Sequence, residues 1–435
     1  MEENELIEKY LNFLAAAKTE SESVTEAIRI AENAGFKEYA ENTDYSAGSR
    51  IWKNVRGRSA LFAVKGKKPM SEGVSILLAH VDSPRLDLKP NPLYAAPDLV
   101  YFDTHYYGGI KKYQWVTIPL ALHGRVAKKN GEIVKICIGE DETEPVLTVT
   151  DLPPHISGRQ LQLKGSDVIN GEGLNAVIGT ADKSGKLPDS FLKLLKEKYD
   201  IDSDDLISSE LSLVPAFKPK RVGFDGTLLG AYGQDDKVCA FTGLTALTEV
   251  EIPEYTALLI LTDREETGSA GVTGVQSPYF RDFLEDLAEK EGCKIRKVLE
   301  KSLCFSGDVI TTLDPNYPEE AEPRNMCHLG GGVVISKYRG SGGKADTQDA
   351  TIEFLSLTHR LFSDNNILYQ TGEAGKVDAG GGRTAGKFLS NYNIDTVDVG
   401  VPILSMHSPF EVTAVSDVVN AQSAYKVFFE RKTAQ

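Results

Sequence analysis

Long hydrophobic runs are missing from this chain. No stretch approaches the roughly 18 apolar residues needed to cross a bilayer, so a membrane-spanning protein is not expected. Positive charge is also in short supply: 48 Lys and Arg against 63 Asp and Glu leave a formal charge of −15. Such a surface repels phosphate backbones and anionic lipid, which argues against nucleic acid or a membrane as partner. Cysteine is scarce and scattered. Cys137, Cys239, Cys293, Cys304 and Cys327 are odd in number and show no CxxC spacing, so neither a disulfide framework nor a thiolate zinc site is indicated. The stretch "MEENELIEKYLNFLAAAK" opens with acids where a secretory signal carries a basic flank. It reads as an amphipathic helix, and the expected location is the cytoplasm.

What is present describes an ordinary globular protein, with 41% apolar and 26% charged residues. At 435 residues the chain exceeds a single compact core and implies two or three domains. Residues 1–89 contain two helical segments, the second from about Ser23 to Asn33 and stopped by Gly35. Two strand candidates follow, "ALFAVKG" and "VSILLAH", the second apolar enough to be buried on both faces. Residues 90–225 change character, with prolines, tyrosines and short alternating runs, and a hairpin is expected to turn at Asn130-Gly131. Over residues 226–435 helices and strands alternate again: a helix through Val238, Phe241 and Leu244, the strand "YTALLILTD", a helix in "YFRDFLEDLAEKEG", the strand "SLCFSGD", a long helix across "DTQDATIEFLSLTHRLFSD", strand material in "IDTVDVGVPILSMHS" and a closing helix around Val418 to Glu430. This pattern predicts an α/β/α sandwich with a β-rich domain inserted in it.

In open α/β sheets, ligands gather beyond the carboxyl ends of the strands. Five such ends or turns carry polar residues able to do chemistry: His80 and Asp82, Asp235 and Asp236, Glu265 and Glu266, Asp308, and His407. Taken singly, each has a bland explanation as a structural histidine, a helix cap or a solvated pair. Together, several buried carboxylates would repel one another unless cations held them. Two divalent ions resolve the conflict. Imidazole and carboxylate donors without thiolate suit zinc, cobalt or manganese better than magnesium or calcium. Two histidines and three carboxylates serve two ions if one carboxylate bridges, and the adjacent glutamates then divide the labour, one binding metal and the other acting as base. Asp82 is placed to orient the second nitrogen of His80.

The motifs "AHVDSPRL", "YYGGIKKYQW", "GQDDKV", "REETGS", "SGDV" and "VDVGVPILSMHSPFE", in this order, resemble those of the aspartyl aminopeptidase family, cocatalytic-metal exopeptidases of the cytosol. The resemblance implies that His80 and Asp308 bind separate ions, that Asp235 bridges them, and that Glu266 and His407 complete the ligand set. It makes Glu265 the general base and Asp82 the acid behind His80. It further implies peptide substrates with a free N-terminus, a tetrahedral homododecamer built from dimers, and an inserted domain that makes the dimer contact and helps enclose the active site. Acidic N-terminal residues would need a cationic pocket; Lys337 matches a family lysine, with Arg339 and Lys344 beside it, although an ordinary basic loop explains all three equally well. The chain departs from the animal and yeast pattern at Thr311, where a histidine is usual, and at "YQW" and "TIPL". The metal set is intact while the specificity set is altered.

Alternatives differ in class. A deacylase, dipeptidase or carboxypeptidase of the same architecture would use the same ions; a non-catalytic scaffold would have lost a ligand or Glu265, and none is missing. Nucleotide binding through "HLGGGVVIS" or "DAGGGRTAG" fails because neither stretch fits a phosphate-binding glycine motif. The aromatic, basic "THYYGGIKKYQW" reads as an interface loop. Because the histidines must be neutral to bind metal, activity should fall below about pH 6.

Overall fold

The computed structural model describes residues 2–181 and 190–432. It divides into two compact units: Met1–Asp82, Pro219–Met406 and Glu411–Gln435 form the first, and Ser83–Lys218 with His407–Phe410 the second. The seams at Ser83 and Lys218 lie ahead of the composition changes at residues 90 and 225. Composition marks where character shifts, whereas packing marks where the chain leaves one core for another.

The first unit is built on a nine-stranded mixed sheet. At its centre Val74–His80 lies between Thr256–Thr262 and Leu303–Ser306, parallel to both. All seven residues of Val74–His80 and of Thr256–Thr262 are buried, as their unbroken apolar character predicts. Successive residues point to opposite faces. Leu77, Ala79, Leu259 and Leu261 pack in one core with helices Glu3–Ala16, Glu20–Asn33, Gln234–Glu249, Ile352–Asp364 and Val415–Phe429. Ile76, Leu78, Leu258 and Ile260 pack in the other with helices Tyr279–Glu289, Ile295–Leu299 and Gly386–Ser390. Helices therefore cover both faces of the sheet. Each fully buried leucine or isoleucine here contributes roughly 1.5–3 kcal/mol.

The local signals explain most boundaries. Helix Glu20–Asn33 begins at a capping box between Thr19 and Glu22, and Gly35 follows its end at φ +84°. One expectation needs correction. The long helix does not begin near Asp346 but at Ile352, where the Thr351 hydroxyl accepts the Phe354 N–H. The preceding residues are used elsewhere, Gln348 donating to buried Asp398 at 2.8 Å.

The second unit contains a seven-stranded antiparallel sheet. Strands Leu120–Ala127 and Ile133–Ile138 form the expected hairpin, with Gly131 in its turn at φ +87°. Helix Ser190–Tyr199 packs Phe191 edge-on against Phe102 of the sheet at 4.9 Å.

Register places the chemistry. Thr262 pairs with His80 and Ser306 with Leu78, so the three central parallel strands finish together at one edge. Asp82, Glu265, Glu266 and Asp308 all follow directly from those ends.

Candidate metal centre

His80 closes the central strand and is only 3% exposed. Its Nε2 lies 3.1 Å from Asp235 Oδ1 and 3.9 Å from Asp308 Oδ1. Its Nδ1 meets the Asp82 carbonyl oxygen at 3.0 Å and Asp82 Oδ1 at 3.4 Å. Nδ1 thus carries a proton, and Nε2 faces the carboxylates, where it would offer its lone pair to an ion once its own proton has left. Donor atoms of His80, Asp235 and Glu266 all lie within 4.8 Å of one another, the one such group among the described residues.

Each member is held from behind. Asp235 and Asp236 begin the helical segment Gln234–Glu249, and the peptide bond between them is cis. The Asp235 N–H donates to Glu411 Oε2 at 3.1 Å, and Gln234 Nε2 donates to the Glu411 carbonyl at 2.7 Å. Glu411 is 1% exposed and closes the stretch "VDVGVPILSMHSPFE", where nothing in the residue order announces that it supports Asp235. The Asp236 carboxylate accepts the His80 N–H at 3.3 Å. Asp308 follows strand Leu303–Ser306 after Gly307, whose N–H donates to the Leu78 carbonyl at 2.7 Å. A Cβ on Gly400, at the end of strand Asp395–Gly400, would fall 1.7 Å from the Asp308 carbonyl oxygen, so only glycine lets the backbone at Asp308 approach this closely.

The Glu265–Glu266 turn is fixed by Asp82. The Glu265 N–H donates to Asp82 Oδ1 at 3.1 Å and the Glu266 N–H to Oδ2 at 3.2 Å. Arg264 precedes them at φ +68°, an uncommon conformation for a non-glycine residue and a mark of a constrained site.

The electrostatics fit a cation. Burial raises the Asp308 and Asp236 carboxyls well above their ordinary range, against the lowering charge of His80. For His80, burial pulls the imidazole down, but hydrogen bonds and charge from Asp235 and Asp82 outweigh it and leave it raised. The group thus holds protons that a divalent ion would replace. Imidazole and carboxylate oxygens at these separations make a donor set suited to zinc.

His407 belongs to the second unit. Its backbone is left-handed at φ +64°, its Nδ1 lies 2.7 Å from the Gly109 carbonyl, and its own carbonyl accepts from Trp115 Nε1 at 3.3 Å. "YYGGIKKYQW" therefore folds back on His407 within its own unit. The basic residues separate sharply. Lys337 is exposed and lines a cavity of about 550 Å³ with Ile335, His359, Tyr369 and Glu373. Arg339 instead donates to the carbonyls of Val309 at 2.9 Å and Asp308 at 3.1 Å, beneath the candidate ligand. Lys344 pairs with Asp349 at 3.0 Å and lies over the Tyr338 ring. Thr311, the departure noted above, is exposed, its hydroxyl 3.8 Å from Met406 Sδ.

A model of the family described as "Aminopeptidase I zinc metalloprotease (M18)" matches residues 13–429. A curated relative from Clostridium acetobutylicum, named "Probable M18 family aminopeptidase 1", is 42% identical over 434 residues, covering 97% of this chain and 93% of its own. The crystal structure of an M18 aminopeptidase from Thermotoga maritima superposes with a TM-score of 0.94 at 37% identity, over 98% of this chain and 96% of that one. The S. cerevisiae mApe1 dodecamer shares the fold at 22% identity, with a TM-score of 0.80 over 98% of this chain and 96% of its own. Sequence, structure and site chemistry agree: the chain belongs to the M18 family of zinc metalloprotease aminopeptidases.

Proposed function

We propose that this enzyme removes N-terminal residues from peptides using two divalent ions, zinc in the first instance with cobalt or manganese as substitutes. The observation that carries the reading is the convergence of His80, Asp235 and Glu266, with Asp308 adjoining, at one sheet edge. His80 and Asp308 would serve separate ions, Asp235 both, and Glu266 and His407 would complete the set. Bound ions supply positive charge that polarises the scissile carbonyl and lowers the pKa of water.

The chain's own residues do the rest. Asp82 keeps the His80 proton on Nδ1 and holds the Glu265–Glu266 turn through two backbone N–H groups. Glu265 takes a proton from the attacking water as its oxygen bonds to the carbonyl carbon. It returns that proton to the leaving amine as the carbon–nitrogen bond breaks. The carbonyl of Gly109, facing His407 Nδ1, favours the tautomer whose lone pair is on Nε2.

Acidic N-terminal residues are the proposed preference, with Lys337 the cation offered to them. We also place the enzyme in the cytoplasm as a tetrahedral dodecamer built from dimers, with the inserted β-rich domain, residues 90–225, contributing the dimer contact and part of the enclosure. A yeast relative that is itself a dodecamer supports the assembly.

The test is hydrolysis of free and N-blocked aminoacyl amides before and after chelation, with zinc, cobalt or manganese restored. Chelator-sensitive cleavage of free substrates, highest on Asp or Glu, is expected. A maximum on neutral residues would remove the acidic preference. Cleavage of blocked substrates alone would replace the aminopeptidase reading with a deacylase.

A further inference from the structure

We propose that Arg58 is a positioning residue for the Glu265–Glu266 turn, acting through the buried carboxylate of Asp263. This rests on the reading of Glu265 as the general base. Asp263 immediately precedes the "REETGS" motif, yet the reaction above makes no use of it. It is fully buried at the end of strand Thr256–Thr262, two residues before Glu265.

Arg58 lies in the turn between strands Arg50–Val55 and Ser59–Val64. Its Nε is 2.9 Å from Asp263 Oδ2, and its Nη2 is 3.0 Å from Glu20 Oε1 on the first turn of a helix. The guanidinium is itself largely buried, with the side chain 16% exposed and the two carboxylates 0% and 6%. A forked cation can bridge two carboxylates in this way, whereas an ammonium, a point charge, matches only one of them well. Without it, Glu20 and Asp263 would face each other as buried anions and would have to separate or neutralise.

Asp263 is also the pin on which the following loop closes. The Thr273 hydroxyl donates to Asp263 Oδ2 at 2.6 Å, and Asp263 bridges Gly274 through the backbone. The Asp263 N–H donates to Ser59 Oγ at 3.0 Å, and that hydroxyl donates to the Thr273 carbonyl at 2.6 Å. Both ends of the loop therefore meet at Asp263 and the residues beside Arg58. The turn carrying Glu265 and Glu266 is gripped from one side by Asp82 and from the other by Asp263, whose own position Arg58 sets. Displacement of a catalytic group by about 1 Å can cost on the order of 100-fold in rate, so loosening one grip should register in turnover.

The experiment compares Arg58→Met, Arg58→Lys and Thr273→Val with wild type at saturating zinc, well below each protein's melting temperature. Arg58→Met is expected to lower kcat by about tenfold or more with KM within about twofold, Arg58→Lys to recover part of the loss, and Thr273→Val to lose about threefold or more. In a Glu265→Gln background Arg58→Met should add clearly less than it costs the wild type, because the base is gone and only Glu266 is left on the turn it positions. Wild-type kcat in folded Arg58→Met or Thr273→Val would overturn the proposal, as would a full additional loss in the Glu265→Gln background. If Arg58→Met does not fold, Arg58→Lys and Thr273→Val decide. Undiminished turnover by Glu265→Gln alone would instead remove the base assignment, a separate failure.

Discussion

The Asp82 carboxylate binds the backbone of Glu265. Its Oδ1 accepts the Glu265 N–H at 3.1 Å while standing 3.4 Å from Nδ1 of His80, and Oδ2 takes the Glu266 N–H at 3.2 Å. One buried anion thus ties a candidate metal ligand to the candidate base. Asp82→Asn keeps the shape but turns an amide donor toward one of those N–H groups. We expect kcat to fall by about 10–100-fold, the usual range for residues that orient a metal ligand, with folding retained. Steady-state kinetics with a melting curve checks this, and kcat within twofold of wild type would count against it.

The neighbouring glutamates should separate by phenotype. Glu265→Gln is expected to keep its metal and lose about 100-fold or more in turnover, the scale of a lost general base. Glu266→Gln should weaken one ion instead and recover turnover when zinc is raised. Metal content by mass spectrometry, measured beside kcat, distinguishes them; identical behaviour would contradict the division of labour.

Zinc affinity should fall with acid from a higher pH than an ordinary imidazole implies. Burial alone would lower the His80 pKa, but Asp235 and Asp82 raise it above 6.5, and burial raises Asp308 and Asp236 as well. Protons that must leave before metal binds are held more tightly in every case, so affinity is lost as pH falls through those raised values. Competitive zinc titrations between pH 6 and 8 should therefore slope steeply and release protons. A flat profile would show that the site does not bind through these groups.

Gly400→Ala should damage the site from outside it. The added Cβ would sit 1.7 Å from the Asp308 carbonyl oxygen, which also accepts from Arg339 at 3.1 Å. The expected cost is at least the roughly 1–3 kcal/mol of an overpacked core site, with weaker zinc binding because Asp308 must move. Thermal melts with and without zinc report both effects, and an unchanged melting temperature would mean the backbone at Asp308 gives way freely.

Among the basic residues only Lys337 should govern specificity. Lys337→Ala is expected to lower kcat/KM for acidic N-terminal residues about tenfold or more and leave neutral ones unchanged. Arg339→Lys should cost stability and zinc affinity without changing the preference, because its guanidinium is spent on the Val309 and Asp308 carbonyls. Ranked kcat/KM values over a substrate panel decide the matter; a changed ranking in Arg339→Lys would reverse it.

Much of this protein was legible from residue order alone. Short, mostly apolar runs such as "VSILLAH" and "YTALLILTD" read as strands covered on both faces, and the polar residues after them meet at one edge once those strands run parallel. Donor types, without thiolate, restricted the metal chemistry. These are properties of local pattern and of residue chemistry, and no tertiary information is needed to read them. The supports were not legible, because they join residues far apart in the chain that no spacing relates. Glu411 holds the backbone of Asp235, Arg339 reaches under Asp308 where its sequence offered either a substrate-binding cation or an ordinary basic loop, and Gln348 turns to Asp398 where a helix was expected. Arg58 grips a carboxylate 205 positions along from it (263 − 58). Such contacts depend on register and on which buried charge finds which partner in a low-dielectric interior, and only the folded chain decides them.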